Sequence, residues 1–167
     1  FKNDKELWGY KDENGKEIIP AKYNYAWSFN DGIARVRNKK MKYGFIDKTG
    51  KVVIPVKYDE TKDFFFFFAA VNFENKWGFI DRTGNVIIPL KYDEVGYFSE
   101  GLAKVRFGAV RGGKYNTLSG GKYGFIDKSG NEIIPFKYED AGDFSEGFAY
   151  VRVGKKYHFI DKKENEL

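Results

Sequence analysis

The chain repeats itself. LWGYKDENGKEIIPAKY from Leu7 is followed by KYGFIDKTGKVVIPVKY from Lys42, KWGFIDRTGNVIIPLKY from Lys76 and KYGFIDKSGNEIIPFKY from Lys122, and a further copy opens at Lys156 as KYHFID. The leading aromatics Trp8, Tyr43, Trp77, Tyr123 and Tyr157 stand 35, 34, 46 and 34 residues apart. Between these copies lies a second motif, AWSFNDGIARV from Ala26, VGYFSEGLAKV from Val95 and AGDFSEGFAYV from Ala141. A period of about 20–50 residues marks an architecture in which no unit buries its apolar face alone and neighbours complete its core.

Turn chemistry fixes what each unit is. In KWGFIDRTGNVIIP the alternation predicts a strand over Trp77–Ile80, a connection over Asp81–Gly84 and an antiparallel return over Val86–Ile88. The Asp81 carboxylate can accept backbone N–H groups, and Gly84 supplies the left-handed conformation that closes a type I turn with a bulge. Asp12, Asp47 and Asp127 repeat the first role, and Gly15, Gly50 and Gly130 the second. Pro20, Pro55, Pro89 and Pro135 all occupy one repeat position. Each lacks an N–H, so the return strand is expected to stop there or run at an edge, with LKYDE leading away. Ser99, Glu100 and Gly101 predict a second turn, followed by a strand from Leu102 through Ala103 and Val105, giving about three short strands per unit. No 12-residue stretch free of Gly and Pro carries a helical apolar stripe, and β-branched and aromatic residues dominate the runs.

The predicted fold is therefore all-β, a tandem β-repeat array of hairpin-plus-strand units. It is read as one domain over 1–167, with units about 1–35, 36–70, 71–105, 106–150 (carrying an inserted loop) and a partial 151–167. An open, solenoid-like array is preferred. The alternative is a closed five-bladed propeller, in which the leading FKNDKE segment would complete the fifth unit. The predicted core is Trp8, Ile19, Val36, Phe45, Val53, Val71, Trp77, Ile80, Ile88, Leu102, Val105, Phe125, Ile134 and Val151.

KWGFID followed by [KR]-[ST]-G, V-I-I-P, KYD and FSEGLA resembles the WG-containing repeat of bacterial proteins. Trp8-Gly9 and Trp77-Gly78 carry the naming dipeptide, and Tyr43-Gly44 and Tyr123-Gly124 are its softened forms. The resemblance covers nearly the whole chain. It implies a β-repeat scaffold of the kind found in secreted, envelope-associated and multidomain bacterial proteins, and it brings no shared enzymatic activity.

Three departures break the regularity. The glycine-rich RFGAVRGGKYNTLSGG before Lys122 carries an insert of about 12 residues, expected as a long, mobile hairpin or loop, and such insertions often lie on a binding face. His158 stands where every earlier copy has Gly, which points to a terminal, capping position. Finally, Phe64–Phe68 replaces the FSEGL motif, with Phe65, Phe66 and Phe67 in place of Ser, Glu and Gly. Successive strand side chains face opposite ways, so at least two of the five should point outward. The run reads as a hydrophobic patch facing a neighbour, a variation of the core, or an error of residue assignment. Either its turn is rebuilt, or the missing glycine needed no positive φ. Candidate binding residues are Phe65, Phe66, Phe67, Arg111, Lys114 and Tyr115.

Composition argues against chemistry. With no cysteine there are no disulfides, thiolate zinc sites or cysteine nucleophiles, and a single His and a single Met argue against a histidine-rich metal site, a Ser-His-Asp triad or a thioether-lined cofactor pocket. The pairs Asp59-Glu60, Asp93-Glu94 and Glu139-Asp140 recur, which marks turns, and adjacent strand carboxylates point apart rather than across a cleft. DENG, DKTG, DRTG and DKSG lack the terminal glutamate of a calcium loop, and the GGK triplets lack the phosphate-loop spacing. No cofactor and no metal is expected, and no enzyme.

The net charge of +5 is interspersed. Its densest basic run, Arg35, Arg37, Lys39, Lys40 and Lys42, reads as a solvated strand end, so no nucleic acid is expected. No window holds 18 consecutive apolar residues, so no membrane-spanning segment is expected. The chain looks cut at its start, with further repeats expected beyond either end. Absence of cysteine fits a secreted or envelope module and is tolerated in the cytosol, so the compartment stays open.

The function expected is a non-enzymatic scaffold for protein–protein binding or spacing in a larger bacterial protein or assembly, its partner another protein or a copy of itself. One alternative is carbohydrate or cell-wall polymer binding on outward aromatic rings, or an anionic polymer on a row of Lys22, Lys57, Lys91 and Lys137. Another is self-assembly into a filament, with Phe64–Phe68 buried between subunits.

Overall fold

Glycine-punctuated runs of alternating apolar residues become strands throughout. A computed structural model describes residues 1–113 and 117–166, and among these it contains only strands, turns and irregular connections, with no helix. The strands are β1 (Trp8–Lys11), β2 (Glu17–Tyr23), β3 (Tyr25–Ala26), β4 (Ile33–Arg37), β5 (Tyr43–Asp47), β6 (Val52–Tyr58), β7 (Glu60–Thr61), β8 (Ala69–Phe73), β9 (Lys76–Ile80), β10 (Val86–Tyr92), β11 (Glu94–Ser99), β12 (Leu102–Gly112), β13 (Thr117–Asp127), β14 (Glu132–Tyr138), β15 (Asp140–Ala141), β16 (Phe148–Val153) and β17 (Lys156–Asp161). The fold is a tandem all-β array of small antiparallel sheets.

The chain divides into two compact units. The first comprises Phe1–Glu74 with Ile80–Asn85, and the second Asn75–Phe79 with the residues from Val86 onward. The first unit holds the two-stranded sheet β1-β2, the four-stranded sheet β3-β4-β5-β6 and the pair β7-β8. The second holds the sheets β11-β12-β13-β14 and β15-β16-β17.

A complete sheet is thus a four-stranded meander, one strand more than the motifs predict. The extra element is the short strand after each KY pair. It is only two residues long at β3, β7 and β15, too short to leave a periodic signature.

The return strand does not end at its proline. β6 runs through Pro55 to Tyr58, and β14 through Pro135 to Tyr138, each at the edge of its sheet, where a missing donor leaves no ladder bond unmade. A bulge carries the strand past proline. Tyr43 pairs with Tyr58 and Phe45 with Ile54, so one intervening residue on β5 faces three on β6. The same register recurs as Trp8 with Tyr23 and Tyr10 with Ile19, and as Tyr123 with Tyr138 and Phe125 with Ile134.

That bulge explains the glycine after each leading aromatic. A Cβ on Gly44 would lie 2.6 Å from the Ile54 carbonyl oxygen and from the Val56 Cα, and one on Gly124 2.6 Å from the Ile134 oxygen. Only a hydrogen side chain lets the bulged backbone cross so close.

The connection between β5 and β6 forms as its Asp and Gly require. Asp47 Oδ1 accepts from the N–H of Thr49 and Lys51, and Asp81, Asp127 and Asp161 repeat the pattern. Gly50 takes φ +85° and Gly130 +83°.

Sheets pack face to face within each unit. In the first, Ile19 and Tyr23 of β2 meet Ala34, Val36 and Ile46. In the second, Leu102, Phe125 and Ile134 meet Ala149, Val151 and Ile160. The phenylalanine of GFID packs at a steep angle against that of the following FSEG motif, Phe79 against Phe98 at 52° and Phe125 against Phe144 at 64°, with centroids 4.9 Å apart. Every predicted core residue is buried except Trp8 and Val53, which are half-buried.

Candidate functional site

The recurring polar residues tie strands to turns. Lys42 pairs with Asp59, whose second oxygen accepts from the Glu74 N–H at 2.8 Å. Lys76 pairs with Asp93 at 2.5 Å, and Asp93 accepts from the Ala109 N–H at 2.7 Å. Lys122 pairs with Glu139 at 2.5 Å, and Glu139 accepts from the Gly154 N–H at 3.0 Å. The acid after each of the last three KY pairs therefore ties the start of one strand to a hairpin turn. The Lys42 ammonium and these hydrogen bonds hold the Asp59 carboxyl below its ordinary range. Among the described residues no three metal-binding side chains gather.

The KY tyrosines Tyr23, Tyr58, Tyr92 and Tyr138 are buried, between 1% and 6% exposed. Each exposed lysine lies over its own tyrosine ring, at 5.2–5.4 Å for Lys22, Lys57, Lys91 and Lys137, as an amphipathic stem over an apolar surface does. In the basic run, Arg35 stacks 4.0 Å from the Trp27 ring centroid and donates to the Thr61 carbonyl at 2.8 Å. That arginine is structural, not merely solvated. Lys39 and Lys40 are exposed.

The leading aromatics form no ladder of open platforms. Trp77 and Tyr123 are buried, Trp8 and Tyr43 half-buried, and Tyr157 is 61% exposed. Burial and a hydrogen bond to Glu94 at 2.6 Å raise the Tyr123 phenol above its ordinary range.

The phenylalanine run splits in two. Phe64 takes the motif's buried position and meets Phe45 at 5.0 Å, and Phe68 is half-buried. Phe65, Phe66 and Phe67 are 48%, 71% and 70% exposed. In the other copies both central turn residues are left-handed, with φ +51° at Glu100 and +92° at Gly101. Here Phe66 keeps φ +53° but Phe67 leaves that region, so the turn is rebuilt to avoid a second left-handed bulky residue. Arg82 braces it, donating from Nη2 to the Phe66 carbonyl at 3.1 Å and pairing with Asp31 at 2.9 Å.

The insert is a regular hairpin, not a loose loop, up to the edge of the described residues. Ala109 pairs with Gly120, Val110 with Ser119, Arg111 with Leu118 and Gly112 with Thr117. Arg111 is exposed on β12, and Lys114 and Tyr115 lie outside the described residues. The structure thus gathers Phe65–Phe67 on one turn, while Arg111 lies in the second unit.

His158 makes β17 unlike any earlier third strand, and its Nδ1 contacts the Glu166 carboxylate. In the last turn Glu164 takes the place of glycine with φ +66° and accepts from the Tyr138 hydroxyl at 2.6 Å. The single signal for this was His in place of Gly.

Four-stranded meanders repeated in tandem, locked by recurrent Lys–acid pairs, define a β-repeat scaffold domain. The family model described as "WG containing repeat" matches residues 8–40, 43–77, 77–115 and 123–157. The chain belongs to the WG containing repeat family. No curated protein matches the chain. Among the described residues no helix is long and apolar enough to cross a membrane.

Proposed function

We infer that this chain is a non-enzymatic scaffold that holds another protein, and that the Phe65–Phe67 turn is its contact. The observation that carries this reading is three consecutive, largely exposed phenylalanines on a turn whose other copies use Ser or Asn, Glu or Asp, and Gly. Each Phe is worth about 1.5–3 kcal/mol when fully buried, so the turn offers several kcal/mol to a partner with an apolar groove. The recurring carboxylates are bound up in hairpin clamps, which leaves them unsuited to acid–base work.

A photo-crosslinking phenylalanine analogue at Phe66 in the full-length protein should give one discrete protein adduct in its native cell. Phe65→Ser with Phe67→Ser should abolish it. Only background adducts at Phe66 would overturn the reading.

A second reading, glycan binding, is favoured by the run Trp8–Tyr25–Trp27–Tyr43, with ring centroids 5.4, 4.4 and 5.9 Å apart. Aromatic faces of this kind can stack on sugar rings. Quenching of tryptophan fluorescence by a cell-wall oligosaccharide, lost in Trp27→Ala, is the result it requires.

A further inference from the structure

The four-stranded sheet β3-β4-β5-β6 lacks the acids that open its counterparts. Around β3 the chain reads Asn24-Tyr25-Ala26-Trp27, where the later copies read Asp59-Glu60-Thr61-Lys62, Asp93-Glu94-Val95-Gly96 and Glu139-Asp140-Ala141-Gly142. Two carboxylates are absent and two aromatic rings stand in this stretch instead. The arginine across the ladder is kept. Cross-strand register sets Tyr25 opposite Arg37, where Glu94 stands opposite Arg106 and Asp140 opposite Arg152. Arg106 forms an ion pair with Glu94 at 3.6 Å. Arg37 has no carboxylate partner among the described residues.

Rings surround the unanswered charge. The Arg37 guanidinium lies 5.8 Å from the ring centroids of both Tyr25 and Tyr43, its Nη1 donates to the Tyr43 hydroxyl at 3.5 Å, and its Nε has no acceptor. The cations beside it are already answered, Arg35 by Asp63 at 3.3 Å and Lys42 by Asp59. Tyr25 is 40% exposed, and Trp27 and Tyr43 are half-buried. From Tyr25 to Trp27 to Tyr43 successive rings tilt by 45° and 39°, which makes a curved strip rather than a closed stack.

We propose that Tyr25, Trp27, Tyr43 and Arg37 form a subsite for an acidic sugar, a uronic-acid residue whose ring packs on the strip while its carboxylate meets Arg37. The proposal rests on the glycan reading of these rings and adds selectivity for charge. A guanidinium fork matches a carboxylate, and low-dielectric surroundings strengthen the charge-assisted bonds between them. The ring faces take the apolar face of a sugar, which an acidic peptide does not offer.

The other copies supply substitutions that the fold already carries, Arg37→Asn from the position of Asn72 and Tyr25→Glu from those of Glu60 and Glu94. The whole chain is titrated with oligogalacturonic acid, with its methyl ester and with oligoglutamate, and followed by calorimetry and tryptophan fluorescence. The acid should bind the wild type more tightly than the ester. Arg37→Asn should weaken the acid about ten- to a hundredfold and leave the ester unchanged. Tyr25→Glu, which gives Arg37 a carboxylate across the ladder, should abolish binding of the acid. Equal binding of acid and ester to the wild type, or a preference for the acid that survives Arg37→Asn, overturns the proposal and leaves the glycan reading standing. Binding of neither saccharide overturns both. Oligoglutamate bound as tightly as oligogalacturonic acid would assign the site to acidic peptides and overturn the proposal equally.

Discussion

Replacing Gly44 by alanine tests the account of the repeat most directly. The added Cβ would sit 2.6 Å from the Ile54 carbonyl oxygen, 2.6 Å from the Val56 Cα and 2.7 Å from the Pro55 oxygen, all backbone atoms. No rotamer change relieves such a contact, so the bulge itself must retreat. Overpacking alone costs roughly 1–3 kcal/mol. Retreat also lifts Ile54 and Tyr58, now 0% and 3% exposed, from their seats. Losing even half the burial of two such side chains adds about 1.5–3 kcal/mol. Reduced entropy of the unfolded chain returns about 0.4–1 kcal/mol. The expected destabilisation is therefore about 3–4 kcal/mol. Gly15→Ala is the control, since at φ +81° it meets nothing within 4 Å and costs only the left-handed penalty of about 1–2 kcal/mol. Urea unfolding followed by circular dichroism measures both. Gly44→Ala within 1 kcal/mol of wild type, or milder than Gly15→Ala, would refute the crossing of bulge over glycine.

Phe66→Glu with Phe67→Gly restores the turn of the other copies. It should leave stability within about 0.5 kcal/mol, because Glu keeps the left-handed φ at this position in the other copies, +51° at Glu100 and +53° at Glu146, and should lower any self-association seen by sedimentation. The turn carboxyls of Asp47, Asp81, Asp127 and Asp161 are held below their ordinary 3.8, first by side-chain hydrogen bonds from Thr49, Thr83, Asn131 and Asn165 respectively. Their folded values lie below the unfolded ones, so their stabilisation is complete above about pH 5 and fades as pH falls through the folded values. Asp127→Asn should flatten the acid limb of a stability–pH curve, and an unchanged limb would contradict this. At the alkaline end, burial pushes the Tyr10 phenol up to about 12 and also raises Tyr123 and Tyr138. The unfolded chain ionises near pH 10, so stability should fall as pH rises past that value, with Tyr123→Phe ionising one late phenol fewer by absorbance at alkaline pH.

Local chemistry made much of the fold legible. Asp81 and Gly84 announce their turn because a carboxylate two and four residues upstream of free N–H groups, and a glycine free to turn left-handed, act within one loop. Ile88 and Phe125 announce the core through alternation. Where the sequence reading stopped short, the cause was a partner from elsewhere in the chain. Pro89 leaves a strand end and a run at an edge both open, because nothing local says that a bulge will carry the strand on to Tyr92. Tyr58 and Tyr138 carry no local sign of full burial, because their cover comes from another repeat. Glycines around Gly112 leave a hairpin and a loop both open, and pairing of Val110 with Ser119 makes them a hairpin. The candidate binding residues were legible only as irregularities. Phe65–Phe67 stood out by composition, and His158 by standing where every earlier copy has Gly.

The acid that follows each of the last three KY pairs grips a backbone N–H at the mouth of the hairpin ahead, at Glu74, Ala109 and Gly154. Whatever lies beyond that grip is mechanically insulated from the sheet. The hairpin after Ala109 runs on to the pairing of Gly112 with Thr117, while those after Glu74 and Gly154 are short. The grip marks splice points, where new peptide can be grafted outward without loosening the repeat that carries it.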